Sequence, residues 1–299
     1  MKKAFLQLHM AVFLAGFTGI LGKEIHLGAE LLVWYRLAIS AGTMWILFYF
    51  TKKLKRLPLK DIMKLFGIGF VAALHWVTFY ASIKESNVSV ALVCFSSVGF
   101  FTALLEPVML RVPIKWIEVL LGLLVMVGIY VIFQFDPRYK TGIILGITCA
   151  VLLAFVMILL REYVKRINPE TILTYQLSGG VISLTLLLPL YWQFFPAGRL
   201  LPSLPEWGWL LVLSWVCSVW AFQLTTNSLK KLTAFTVNLT FNLEPVYGII
   251  MAFLFYHENE VVGKWFFVGA ALIAASLVIH FVLLLAKERM NKKNANSLS

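Results

Sequence analysis

Glu244 and Arg36 are charged residues standing inside long apolar stretches, so they raise the first chemical question. A charge at membrane depth costs roughly 2.5 to 3.5 kcal/mol on insertion scales, and a chain that keeps one there has a use for it. Pro245 beside Glu244 lacks an amide proton and frees the carbonyl of Phe241, four residues earlier. Thr236, Thr240 and Glu244 recur every fourth position and predict one polar helical face, with Asn238 and Asn242 roughly opposite. Glu244 either couples protons and binds a solute or is held by a basic neighbour. Arg36 either anchors a carboxylate through a bidentate guanidinium contact or snorkels to the interface. One fixed cation and one fixed anion match a zwitterion in sign and number, and the competing reading is that the two pair with each other.

His75, next to Trp76, is an imidazole in mid-stretch; it reads as a hydrogen-bonded packing residue, with proton relay as the alternative. His9 and His280 lie off any obvious partner. Trp34, Tyr35, Trp76, Tyr80, Trp215 and Trp220 serve either as aromatic walls to a ligand or as belt residues at the headgroups. Glu106 stands within five residues of Arg111 and reads as an interfacial carboxylate. Cys94, Cys149 and Cys217 fall in apolar runs and read as core packing. The sequence holds no phosphate loop, no Gly-x-Ser-x-Gly elbow and no His-Glu-x-x-His, and its five histidines are scattered. We expect no enzyme, no metal and no cofactor.

Composition says which elements position these groups. Hydrophobic residues make up 61% of the 299 and charged residues only 13%, with a mean hydropathy of +0.87. That leaves too little polar surface for a water-borne globule, which carries about 25% charge. Ten apolar runs predict ten membrane helices, at 4–21, 31–50, 62–83, 88–110, 116–135, 141–160, 171–195, 207–227, 232–256 and 262–286. Runs about twenty residues long, apolar all round, exclude a membrane barrel. The first, after Lys2 and Lys3, has the look of a signal peptide but is expected to stay as a helix. Residues 287–299 read as a polar, frayed cytoplasmic tail.

The net charge of +12 suits nucleic acid in a soluble protein, but here the basic residues sit between apolar runs, and no nucleic-acid partner is expected. With the amino terminus inside, 19 of the 26 basic residues fall on inside segments and six outside; Arg36 is within a span. Both termini are thereby predicted cytoplasmic.

The halves match weakly but in order. Ala11-Val12 and Ala15 correspond to Ala150-Val151 and Ala154, and Val33-Trp34-Tyr35-Arg36 to Leu173-Thr174-Tyr175-Gln176. Ala81-Ser82-Ile83-Lys84 corresponds to Asn227-Ser228-Leu229-Lys230, and Gly122 to Gly269. The offset lengthens within the Pro-rich loop 196–205, where insertions are tolerated. A rival match, Leu105-Glu106-Pro107 with Leu243-Glu244-Pro245, misplaces the lysine turn and the glycine helix. The alignment makes Gln176 the counterpart of Arg36 and Ser97 that of Glu244. Five spans per half predict inverted repeats, 1–137 and 138–286, whose pseudo-two-fold symmetry suits alternating access.

Phe17-Thr18-Gly19, Trp34-Tyr35-Arg36, Asn242-Leu243-Glu244-Pro245 and the small-residue helix from Gly269, set in ten short-loop spans, resemble the EamA-type branch of the drug/metabolite transporter superfamily. The resemblance implies an all-α bacterial inner-membrane carrier, often an exporter of amino acids or their relatives. It implies a central cavity lined by spans one to four and six to nine, with spans five and ten peripheral. The expected partners are a small solute, the bilayer and coupling protons, in a monomer or homodimer. Ser97-Val98 against Glu244-Pro245 departs from symmetry between spans four and nine. The alternatives are an exchanger of larger metabolites, which calls for more cavity cations, and a scaffold or membrane enzyme without flux.

Overall fold

The apolar runs become helical, because only helices satisfy every backbone polar group within one segment of chain inside lipid. The computed structural model describes residues 2–135, 137–194, 198–232 and 234–297, with the side chains of 133–135, 137, 234–235, 238–239, 284 and 287–297 outside that description. The helices are α1 (Lys2–Glu24), α2 (Ala29–Phe50), α3 (Leu59–Glu85), α4 (Val88–Phe95), α5 (Val98–Leu110), α6 (Trp116–Phe135) and α7 (Lys140–Leu160). They continue as α8 (Pro169–Phe194), α9 (Leu204–Leu211), a π-helical stretch (Val212–Trp220), α10 (Ala221–Leu229), α11 (Ala234–Phe241), α12 (Glu244–Tyr256), α13 (Glu258–Val261) and α14 (Lys264–Ser297). Eight helical stretches are long and apolar enough to cross a membrane, and two shorter ones, Trp116–Ile132 and Glu244–Tyr256, join them. The described residues contain no strand. The chain is a multi-pass, all-helical membrane protein.

Lipid tails are as apolar as leucine, so these helices associate by close packing and not by hydrophobic exclusion. α1 lies against α10 and α12, α7 against α3, α4 and α5, α8 against α2 and α3, and α6 against α14. Two glycines show how near the backbones come. A Cβ on Gly16 would stand 2.9 Å from the Glu244 carbonyl oxygen and 2.9 Å from the Gly248 amide nitrogen; one on Gly69 would stand 2.0 Å from the Gln176 carbonyl oxygen. α1 is packed inside the bundle, with Ala4, Leu8, Ala11 and Val12 buried.

Two of the expected continuous spans are broken. α4 stops at Phe95 and α5 starts at Val98; α11 stops at Phe241 and α12 starts at Glu244. At the first break Ser96 and Ser97 turn their hydroxyls back onto the carbonyls of Leu92 (3.1 Å) and Cys94 (2.6 Å), competing with the helical ladder. At the second, Pro245 cannot bond back to Phe241, so the chain makes one turn and a new helix starts with proline in its first turn, where the missing amide costs little. This corrects the expected polar face: Thr240 and Glu244 belong to different helices, and the Thr240 hydroxyl bonds to the Thr236 carbonyl at 2.8 Å.

The breaks recur at one spacing. Ends 95 and 241, starts 98 and 244, and ends 110 and 256 are all separated alike, and both second helices close on a left-handed residue, Arg111 (φ 54°) and His257 (φ 52°). That register sets Val98, not Ser97, opposite Glu244. A second correction concerns the tail: α14 runs on to Ser297, because no glycine or proline after Gly269 interrupts its good helix formers.

Candidate functional site

α2 carries Arg36 into the bundle, where it is 7% exposed. Its Nη1 donates to the Tyr80 hydroxyl at 2.8 Å and its Nε to Ser218 Oγ at 3.1 Å, while the guanidinium lies 5.0 Å from the Trp76 ring centroid and 6.0 Å from that of Tyr80. Both neutral partners and the aromatic faces hold the cation without cancelling its charge. Ser218 reaches it from the π-helical stretch, whose wider turns let the same hydroxyl also bond to the Leu213 carbonyl, five residues back, at 2.9 Å. π-helical turns concentrate at functional sites.

Glu244 opens α12, where free amides favour a negative group. Its side chain is half-buried and makes no hydrogen bond or ion pair among the described residues. Arg36 bonds to Tyr80 and Ser218, and no ion pair joins it to Glu244 among the described residues. The pairing of these two residues is thus not what this conformation holds.

His75 on α3 is 6% exposed, and its Nδ1 lies 3.0 Å from the Cys149 carbonyl oxygen and 3.1 Å from Cys149 Sγ. A carbonyl only accepts, so Nδ1 carries the proton. The ring stands 6.0 Å from both Trp76 and Phe95 by centroid. The structure therefore gathers Arg36, Tyr80, Trp76 and His75 in one interior region.

Other expected residues fall elsewhere. Ser97 is wholly buried, with its hydroxyl spent on its own helix. Gln176 is buried and its side chain has no hydrogen bond among the described residues. Asn242 is exposed in the turn before α12, Thr240 is half-buried, and the side chain of Asn238 lies outside the described residues. Trp34 and Trp215 bond to Thr185 (2.8 Å) and Thr43 (3.0 Å) near the surface, and Trp215 and Trp220 are about half exposed. His9, read as partnerless, lies 3.0 Å from the Tyr247 hydroxyl, 238 positions away. Glu106 pairs with Arg161, not with Arg111. Cys94, Cys149 and Cys217 are free and buried.

The sequence reading passed over Ser218 and two sealed carboxylates. Glu258, 2% exposed, accepts from Lys23 Nζ (3.0 Å), the Val88 amide (3.2 Å), the Ser89 amide (2.9 Å) and the Ser89 hydroxyl (2.7 Å). Glu206 accepts from the His26 amide at 2.9 Å, closes a capping box with Ser203 and pairs with Arg199. Ser203-x-x-Glu206 carries the capping-box signature in the sequence itself. At the opposite ends of the helices, Asp61 and Arg166 form a bidentate pair at 2.8 Å, and Lys53 meets Glu170 at 3.5 Å.

Two stretches, residues 2–134 and 140–281, match the EamA-like transporter family. An uncharacterized transporter from Archaeoglobus fulgidus is 24% identical over 217 residues, 72% of this chain and 75% of its own. The uncharacterized transporter YxxF of Bacillus subtilis is 23% identical over 265 residues, 84% of this chain and 81% of its own. One crystal structure shares the fold with a TM-score of 0.63 at 15% identity, covering 96% of this chain and 99% of that one. Matched along both stretches, and by relatives that are themselves transporters, the chain belongs to the EamA-like transporter family.

Proposed function

We propose that the protein is a secondary transporter that moves a small polar or zwitterionic metabolite, an amino acid or a relative, outward across a bacterial inner membrane by alternating access. One observation carries the reading: the interior cation Arg36 has only neutral partners, and the half-buried carboxylate of Glu244 has none among the described residues. A solute with a carboxylate and an ammonium satisfies both at once. Glu244 also serves as the proton carrier in this scheme.

Alternating access rests on ten spans in two inverted halves, 1–137 and 138–286, with both termini cytoplasmic. Three things support it: the helix breaks at one spacing, the packing of α1 on the second half mirrored by that of α7 on the first, and the basic bias of alternate loops. Glu258 then latches the second half to Lys23 and the start of α4 on one face, while Asp61–Arg166 joins the halves on the other.

Counterflow of radiolabelled amino acids in proteoliposomes tests this reading. Arg36→Lys, which removes the bidentate fork, is expected to weaken a carboxylate solute about tenfold or more, and unchanged affinity would count against the anchor. Glu244→Gln is expected to abolish dependence on a pH gradient while counterflow persists at weaker solute affinity, since the charge facing the ammonium is lost; a gradient response equal to wild type would end the coupling claim.

A further inference from the structure

The ends of α5 and α7 and the start of α6 enclose a cavity of about 130 Å³ that the transport site does not use. Two cations and two carboxylates line it: Arg161 paired with Glu106, and Lys115 paired with Glu118 at 3.0 Å. The cations lie outermost, with side-chain exposures of 46% and 60%, and the carboxylates lie deeper at 20% and 27%. Ion pairs this exposed add little to stability, so exchanging partners costs little. Val108, Trp116, Ile117 and Leu120, next to the lining residues along α5 and α6, are all more than half exposed. Tryptophan so placed marks the headgroup level of a bilayer.

The corresponding corner, where α12 ends, makes a contrast. A second cavity lies there, lined by Phe253, Leu254, His257, Asn259 and Phe267, with no Lys, Arg, Asp or Glu. Charge of both signs lines the α5–α6–α7 cavity and does not line this one.

We propose that this corner binds the headgroup of a phosphatidylethanolamine-type lipid. The phosphate lies between Arg161 and Lys115, and the primary ammonium reaches Glu106 and Glu118 through charge-assisted hydrogen bonds. A quaternary choline has no N–H to give those carboxylates, so the site discriminates between the two zwitterionic lipids. The exposed apolar residues of α5 and α6 beside the cavity take the acyl chains, which makes the ligand a lipid and not a free phosphoethanolamine.

The test uses the full chain, delipidated in detergent, with short-chain phosphatidylethanolamine, phosphatidylcholine and phosphatidylglycerol added separately, and reads bound lipid by native mass spectrometry and melting temperature. The ethanolamine lipid is expected to bind about tenfold tighter than the choline lipid. The double variant Glu106→Gln with Glu118→Gln should erase that preference, and Arg161→Gln should weaken ethanolamine and choline lipids together. Equal binding of the two by wild type, stronger binding of phosphatidylglycerol, or a preference that survives the double variant overturns the proposal. Glycerophosphoethanolamine without chains, binding as well as the lipid, would assign the site to a soluble solute instead. Melting curves of the variants without lipid show whether each is folded.

Discussion

The two broken helices, α4–α5 and α11–α12, interrupt at the same spacing and end on the same left-handed turn, yet they carry different chemistry. α4 starts under heavy restraint: Asn87 caps the Val90 amide at 2.8 Å, and Glu258 accepts from the Val88 and Ser89 amides. α12 starts on Glu244, whose side chain has no partner among the described residues, and Val98 stands at the matching place in α5. Backbone geometry repeats while charge does not. The first broken span is tied down at its start, far from its break, and the second carries a carboxylate at its break where the first has valine.

The largest way to break this contrast is Glu258→Ala. It strips acceptors from two backbone amides and from Lys23 in a sealed place, and should destabilise by about 3 kcal/mol, measured as reversible unfolding in detergent. A loss well under 1 kcal/mol would mean that α4 is not held there. Next comes Gly16→Ala, whose methyl would strike the backbone of Glu244 and Gly248 and so push on the start of α12. Backbone atoms have little room to yield, and a cost of about 1–3 kcal/mol is expected with reduced counterflow. Smallest is Gly99→Ala near the start of α5, where no atom lies within 4 Å of the added methyl; stability should rise by about 0.5 kcal/mol through helix propensity, with flux unchanged. Similar costs for the two glycine variants would show that both breaks are packed alike.

Much of the site was legible as candidates and little of it as contacts. Glu244 and Arg36 stood out because charge inside apolar runs is conspicuous in one dimension. Ser218 did not, since a serine in a membrane helix is ordinary until a π-helical stretch turns it onto a guanidinium. Glu258 sits beside a loop, where acids are common, and its ties cross 235 positions to Lys23 and about 170 to Val88 and Ser89. The helix break at Pro245 was half legible: proline announced a lost hydrogen bond, but whether the helix kinks or restarts depends on what packs against it.

Apolar runs, the all-helical class and the place of a few charges within those runs follow from composition and order alone, because lipid as solvent imposes its demand on each segment separately. Partner choice needed the folded chain. That Arg36 meets Tyr80 and Ser218 rather than Glu244, and that Glu106 meets Arg161 rather than Arg111, depends on the rotation of each helix and on where backbones cross. Close packing of small residues sets those crossings, and no single segment contains that information.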